Sequence, residues 1–305
     1  MTQRYLLTGA SGFLGAIIKT HLQEEGGAVT TIGRKNADLI AALEVPLSLP
    51  YEAAFDCVVH CAGKAHSIPK TPEEKQQFDT VNNIGTRNLC EALSALSRPP
   101  SSFIFISTVA VYGVESGKDI AETAPLLGDT PYAKSKIAAE KFLREWAAEQ
   151  GITLTILRLP LVVGRNAPGN FGAMVKGIRT GRYLSIGKAD ARKSMVWSED
   201  VAALIPRIAN AETSGIFNLT DGIHPTFGAL EKAISRALGR KYPFSMPLFL
   251  IRPLARIGDF IGKGAPINSQ KLGKILNQLT FDDSKARQQL NWYPHSVLLV
   301  LDKIL

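Results

Sequence analysis

The chain has 305 residues, 45% of them apolar and 20% charged, with a formal net charge of +8. These values exclude an intrinsically disordered chain and leave enough apolar material for one large α/β unit or two domains. No stretch approaches the roughly 18 uninterrupted apolar residues of a membrane span, and three cysteines are too few for a disulfide framework.

In chain order, the candidate strands are Arg4–Thr8, Val29–Ile32, Cys57–Cys61, Phe103–Thr108 and Thr153–Leu159. The candidate helices are Gly12–Glu25, Glu73–Leu96 and Tyr132–Gln150. The strands are nearly continuous apolar runs, as expected of a parallel sheet covered by helices on both faces. This predicts a Rossmann-type, doubly wound α/β domain over 1–163 and 195–222, with a smaller substrate-binding lobe over 164–194 and 223–305. Residues 248–262 are apolar but carry Arg252, Arg256 and Asp259; they read as a helix capping the smaller lobe in preference to one lying on a membrane. The first strand follows the N-terminus with no signal-peptide pattern, so a cytoplasmic protein is expected.

The first strand runs into Thr8-Gly9-Ala10-Ser11-Gly12-Phe13-Leu14-Gly15. Gly9 permits the tight strand-to-helix turn, Gly12 a close approach to a pyrophosphate, and Gly15 close packing of helix on sheet. The phosphates would sit on the helix N-terminus, where free N–H groups and the dipole favour anions. The second strand ends in Gly33-Arg34-Lys35 with no acid before Asp38, which favours NADP over NAD. Cys57 and Cys61, roughly 13 Å apart along a strand, cannot share a metal ion; no metal site is expected, and His60 should face the other way.

Tyr132 and Lys136 lie one turn apart on a helix that Thr130 can cap and Pro131 can begin. A lysine ammonium beside a tyrosine stabilises phenolate and brings a general base towards neutral pH. The strand ending at Ser107-Thr108 brings hydroxyls to the carboxyl end of the sheet, where α/β ligands bind. From Arg158 to Lys193 there are eight basic residues and one acid, Asp190, which suits a diphosphate pocket, a nucleic-acid surface or a solvated face.

Taken in order, the glycine motif, Cys61-Ala62-Gly63, the V-N-N-I-G-T-R-N-L around Asn82, S-T-V-A-V-Y-G, Y-A-K-S-K, L-R-L-P-L-V-V-G-R and the closing D-D-S-K-A-R-Q-Q-L-N-W-Y-P resemble the extended short-chain dehydrogenase/reductases. The resemblance is to the nucleotide-sugar epimerases and dehydratases, and within them to the UDP-glucose 4-epimerase-like subgroup of bacterial polysaccharide biosynthesis. It implies Tyr132 as catalytic acid/base, Lys136 as its partner and ribose ligand, and Thr108 as the hydroxyl holding the sugar oxygen. Phe13 and Leu14 would offer backbone N–H groups to the pyrophosphate, and Ala62, Gly63, Asn82, Ser107 and Pro160 would line the cofactor. Asn170 and Phe171 would grip the sugar diphosphate, with Arg192 or Lys193 on its phosphates. Val109 and Ala110 stand where family dehydratases carry an Asp-Glu pair, which argues against a dehydratase. The acids usual after the second and third strands are also missing, at Gly33-Arg34 and near Leu47-Ser48-Leu49.

The expected activity is hydride transfer at C4 of a UDP-linked hexose, with NADP or NAD. A 4-epimerase comes first, an NADPH-dependent 4-ketoreductase second, and a non-catalytic dinucleotide sensor or nucleic-acid regulator a remote third. No nucleic-acid partner and no membrane span are expected, and a homodimer is left open.

Overall fold

The computed structural model describes residues 2–65, 67–211, 213–261 and 267–305. Seven strands form the central sheet: β1 (Arg4–Thr8), β2 (Ala28–Gly33), β3 (Leu39–Ile40), β4 (Cys57–His60), β5 (Ser102–Thr108), β6 (Thr153–Leu159) and β7 (Gly215–Asn218). Their spatial order is β7-β6-β5-β4-β1-β2-β3, and every pairing is parallel. The strand order reverses between β1 and β4, the crevice in which doubly wound sheets bind their ligands. The Rossmann-type expectation therefore holds.

The helices are α1 (Phe13–Glu24), α2 (Pro72–Asp79), α3 (Gly85–Ser94), α4 (Pro131–Gln150), α5 (Gly169–Arg179), α6 (Ser198–Ala211), α7 (Phe227–Ala237), α8 (Leu248–Ile261), α9 (Ser269–Leu276), α10 (Ser284–Leu290) and α11 (Val297–Ile304). On one face of the sheet, Ile18 and Leu22 of α1 and Val201 and Ile205 of α6 pack on Leu7, Val59 and Leu157. On the other, Leu89 and Leu93 of α3 and Leu143 and Trp146 of α4 pack on Val58, Phe103 and Ile156. Each such buried side chain contributes about 1.5–3 kcal/mol of transfer free energy. A separate core joins Phe171, Ile178, Leu230 and Leu301. Helix α10 and Trp292, although late in the chain, pack into the sheet's own core through Ala286 and Leu290.

Two local features differ from the sequence expectation. The helix predicted over 73–96 is interrupted by a π-turn at Thr80–Ile84 and ends at Ser94. The wider turn holds Asn82 in the protein interior, where Nδ2 donates to Ser135 Oγ at 2.9 Å and to Lys64 O at 3.1 Å. Such bulges recur at functional sites. Helix α4 follows its caps: Thr130 Oγ1 accepts from Ala133 N at 3.1 Å, Pro131 opens the first turn, and Gly151 (φ 65°) ends the helix. Helix α8 packs through Ile251 and Ala255 on Leu272, with Ile186 and Met246 beside them.

His60 is fully buried and turned away from Cys57, as expected. Its Nδ1 lies 2.6 Å from Thr8 Oγ1 and its Nε2 2.9 Å from Thr86 Oγ1, which itself donates to Asn82 O. Thr86 must then accept from Nε2–H, which leaves Nδ1 to accept from Thr8. Burial, with Lys136 nearby, pulls the imidazole down to about 3. The unfolded chain takes up this proton below pH 6.5 whereas the native one does not, so the contribution to stability is full above pH 6.5 and declines towards pH 3. The expected slope is about 1.4 kcal/mol per pH unit in that window. Urea unfolding across it should show the slope in the wild type and a shallower one in His60→Gln; identical slopes would contradict it.

Candidate active site

The first strand delivers the chain to the glycine loop at the switch point. Gly9 has φ 76°, and a Cβ there would meet Ala62 N at 2.6 Å. A Cβ on Gly15 would lie 2.1 Å from Gly9 O. The loop is therefore a cradle that only glycine can line, pressed against Cys61-Ala62. Gly12 caps α1 with no side-chain hydrogen bond, so the N–H groups of the first turn face the cleft. This is an anion site of the kind a dinucleotide pyrophosphate takes, and the residues fit such a cofactor. The cleft measures ≈ 350 Å³ and is lined by Gly9, Gly12, Phe13, Leu14, Gly15, Gly63, Ser107, Thr108, Tyr132, Lys136 and Pro160.

The remaining candidates for the cofactor lie around it. Ser11 is exposed at the loop tip, and Ala62 offers its backbone, its N–H donating to Thr8 Oγ1 at 3.1 Å. Asn82 stands behind Gly63 and accepts from Lys64 N at 2.7 Å, so it holds the loop after β4 in place. Arg34, at the end of β2, has a side chain 77% exposed and 3.7 Å from Glu44. The next acid, Asp38, is engaged by Thr31 through its N–H and Oγ1, both at 2.8 Å, which holds its carboxyl below the usual range.

Tyr132 and Lys136 rise from the first turns of α4 toward Thr108 at the end of β5. The Tyr132 phenol faces the same cleft as Thr108, and burial pushes it up to about 12 against the lowering influence of that hydroxyl. Lys136 donates from Nζ to Ile106 O at 2.7 Å and lies 4.1 Å over the Phe105 ring. Burial pulls it down to about 8, against the raising effect of Cys61 and Glu140. At neutral pH the pair therefore rests as phenol and ammonium.

A second cavity of ≈ 360 Å³ shares Pro160 and Leu161 with the first and is bounded by Asn170, Phe171 and Lys193. Val109 and Ala110 line it too, so apolar side chains stand where an acid would have to protonate a leaving hydroxyl. Lys193 is half-buried, and burial lowers its pKa. Arg192 is not brought here: it is exposed and donates to His224 O at 3.1 Å. Lys193→Ala is expected to weaken binding of a sugar diphosphate by about 1.5–3 kcal/mol, and Arg192→Ala to leave it unchanged. Calorimetric titration of both variants decides it; equal losses would remove the distinction.

The basic stretch is thus not one surface. Arg158 is 2% exposed and turned into the core, where Nε and Nη2 reach Glu140 at 3.2 and 2.6 Å and Nη1 reaches Tyr112 Oη at 3.0 Å. Glu140 also accepts from Ser107 Oγ at 2.5 Å. The sequence reading missed Glu140, although it lies four residues after Lys136 on the same helical face. An arginine inside an apolar strand was the other signal, since a buried charge needs a partner. The sequence also places His66 in the loop after the fourth strand, where a histidine could reach a substrate or have no role; it lies outside the described residues. Trp197 is partly buried and meets His295 edge-on, so it forms part of the packing. Among the described residues no cluster of His, Cys, Asp and Glu could hold a metal ion, and no helix is long and apolar enough to cross a membrane.

The NAD-dependent epimerase/dehydratase family model matches residues 5–220. The chain belongs to this family. Among its relatives is the N-acetyl-α-D-glucosaminyl-diphospho-ditrans,octacis-undecaprenol 4-epimerase of Escherichia coli O157:H7. The two are 28% identical over 329 residues, which cover 100% of this chain and 95% of the relative. GDP-6-deoxy-D-mannose reductase of Pseudomonas aeruginosa is 28% identical over 73% of this chain and 76% of its own. In structure, UDP-glucose 4-epimerase of Thermotoga maritima, solved with UDP-glucose, superposes with a TM-score of 0.76. It is 22% identical, and the superposition covers 99% of this chain and 97% of that one. The family thus includes both epimerases and reductases that act on sugars carried on diphosphates, and its cofactor is a nicotinamide dinucleotide.

Proposed function

We propose that this family member is a 4-epimerase of a hexose carried on a diphosphate, with a UDP-sugar as its first substrate. The observation that carries the proposal is the meeting of the two cavities at Pro160–Leu161, beside Thr108 and Tyr132. One cavity has the glycine cradle and the other has Lys193 and Asn170. In this reading the unit over 1–163 and 195–222, with α10 and Trp292 packed into its core, holds the dinucleotide, and the lobe over 164–194 and the rest of 223–305 holds the sugar diphosphate.

The chemistry supplied by the bound nicotinamide is reversible acceptance of the C4 hydrogen with its electron pair. Tyr132, in the phenolate form, takes the proton of the C4 hydroxyl, and Thr108 beside it in the cleft holds that oxygen in line. The Lys136 ammonium stabilises the phenolate. Lys193 and Asn170 keep the diphosphate anchored while the keto sugar turns its other face, after which Tyr132 returns the proton.

The test is to incubate the enzyme with UDP-glucose, UDP-N-acetylglucosamine and a polyprenyl-diphosphate N-acetylglucosamine, and to look for the C4 epimers. Epimer from either carrier supports the proposal, and the carrier that reacts identifies the substrate. No epimer from any of them, with NAD or NADP supplied, overturns it.

A second reading, an NADPH-dependent 4-ketoreductase, is favoured by the end of β2. No free acid is available there for a ribose 2′-hydroxyl, while Arg34 is exposed and can offer its planar fork to a 2′-phosphate. The contact is screened by solvent, so NADP(H) should be preferred over NAD(H) by roughly tenfold, about 1.4 kcal/mol. Arg34→Asp should reverse the preference in a direct titration of both cofactors. Equal wild-type affinities would return the weight to an NAD-dependent epimerase.

A further inference from the structure

Helix α8 turns only one face to the protein. Ile251 and Ala255 pack against Leu272 of α9, with Ile186 and Met246 beside them. On the other side Phe249, Leu250, Leu254, Ile257 and Phe260 stand in water, with Phe249 73% and Phe260 94% exposed. At about 100° per residue these five side chains fall within one arc of about 140°. Scattered apolar residues on a surface need no explanation, but a continuous bare helix face does.

In sequence, the stretch that contains α8 is strongly basic. From Arg236 to Leu276 there are eight basic residues and a single acid, Asp259. Asp259 is engaged by the first turn of α9, where its two oxygens accept from Ser269 N at 2.8 Å and Ser269 Oγ at 2.6 Å. Arg252 and Arg256 border one edge of the apolar arc, are exposed, and have no ion-pair partner among the described residues. An apolar stripe edged by arginines is the pattern of helices that lie in a bilayer interface. A second copy of this chain would bring the same positive surroundings to the face, whereas anionic headgroups bring the opposite charge.

We propose that α8 docks this protein on the surface of an anionic phospholipid bilayer. The apolar arc enters the headgroup boundary, and Arg252 and Arg256 meet the lipid phosphates. The docked face lies one helix from the substrate cavity: α9 packs on α8, and its Lys274 lines that cavity and pairs with Glu115 at 3.2 Å. The proposal goes beyond the reaction and is read without substrate.

The test is co-sedimentation of the full chain with phosphatidylcholine vesicles, with and without about one third phosphatidylglycerol. The wild type should bind the anionic vesicles, less so at high salt. Arg252→Glu with Arg256→Glu should lower that binding roughly tenfold or more, and Phe260→Asp should lower it as well. Dinucleotide binding, measured in parallel, should be unchanged in both variants. Absence of wild-type binding to anionic vesicles, or equal binding by the variants, overturns the proposal. So does a concentration-dependent dimer that Phe260→Asp dissociates while vesicles capture nothing, which would give the face to a second copy.

Discussion

Tyr132→Phe should leave a folded protein that still binds its dinucleotide but turns over at least about 10²-fold more slowly, the lower end for a positioned acid/base. The substitution removes one hydroxyl and keeps the ring, which packs edge-on against Phe78 at 6.3 Å. On the proposed mechanism, what is lost is the group beside Thr108 that takes the proton from the sugar and returns it. Because burial holds the phenol up at about 12, turnover in the oxidising direction should rise with pH as the phenolate becomes accessible. Steady-state rates across pH, beside circular dichroism and a cofactor titration, check both statements. A variant with near-normal turnover would remove Tyr132 from the mechanism.

Arg158→Ala should destabilise the fold by about 3–5 kcal/mol, the cost of stranding a buried partner charge. Glu140 and Arg158 are each 2% exposed, so the guanidinium's loss leaves a buried carboxylate with Ser107 as its remaining partner. The pair itself is weak evidence of net stabilisation, since two charges had to be desolvated to form it. A double change of both residues to apolar side chains should therefore recover much of the loss. Denaturant unfolding of the single and double variants decides it; a single-variant loss within experimental scatter would show that Glu140 finds another partner or a proton. The same carboxylate holds Ser107 and lies one turn from Lys136, so Glu140→Gln should also shift the pH dependence of turnover.

Much of this site is written in local sequence. The glycine loop, the Thr130-Pro131 start of α4 and the Tyr132–Lys136 spacing each depend on a few adjacent residues, so their geometry follows from φ preferences, capping and the helical repeat. The apolar strands give the sheet in the same way, because burial on both faces leaves no alternation. The break at Thr80–Ile84 is different. Residues 73–96 are compatible with an uninterrupted helix, and the π-turn is held by Asn82 reaching Ser135 and Lys64, partners far away in sequence.

Short-range chemistry repeated along the chain accounts for the parallel α/β architecture, the glycine-lined crevice and the one-turn spacing of Tyr132 and Lys136. The basic residues of 158–193 are separated by packing between distant parts of the chain. Adjacent in sequence, Arg192 and Lys193 point to different surroundings, a backbone carbonyl at the surface and the cavity bounded by Asn170 and Phe171. Arg158 went inward because Glu140, on the helix packed over its strand, supplies the opposite charge that makes its burial tolerable. The same holds for α8, whose hydrophobic residues read as a lobe cap until packing showed which of them find neighbours. Charge and hydropathy are properties of residues, but which partner neutralises or covers them is a property of the fold.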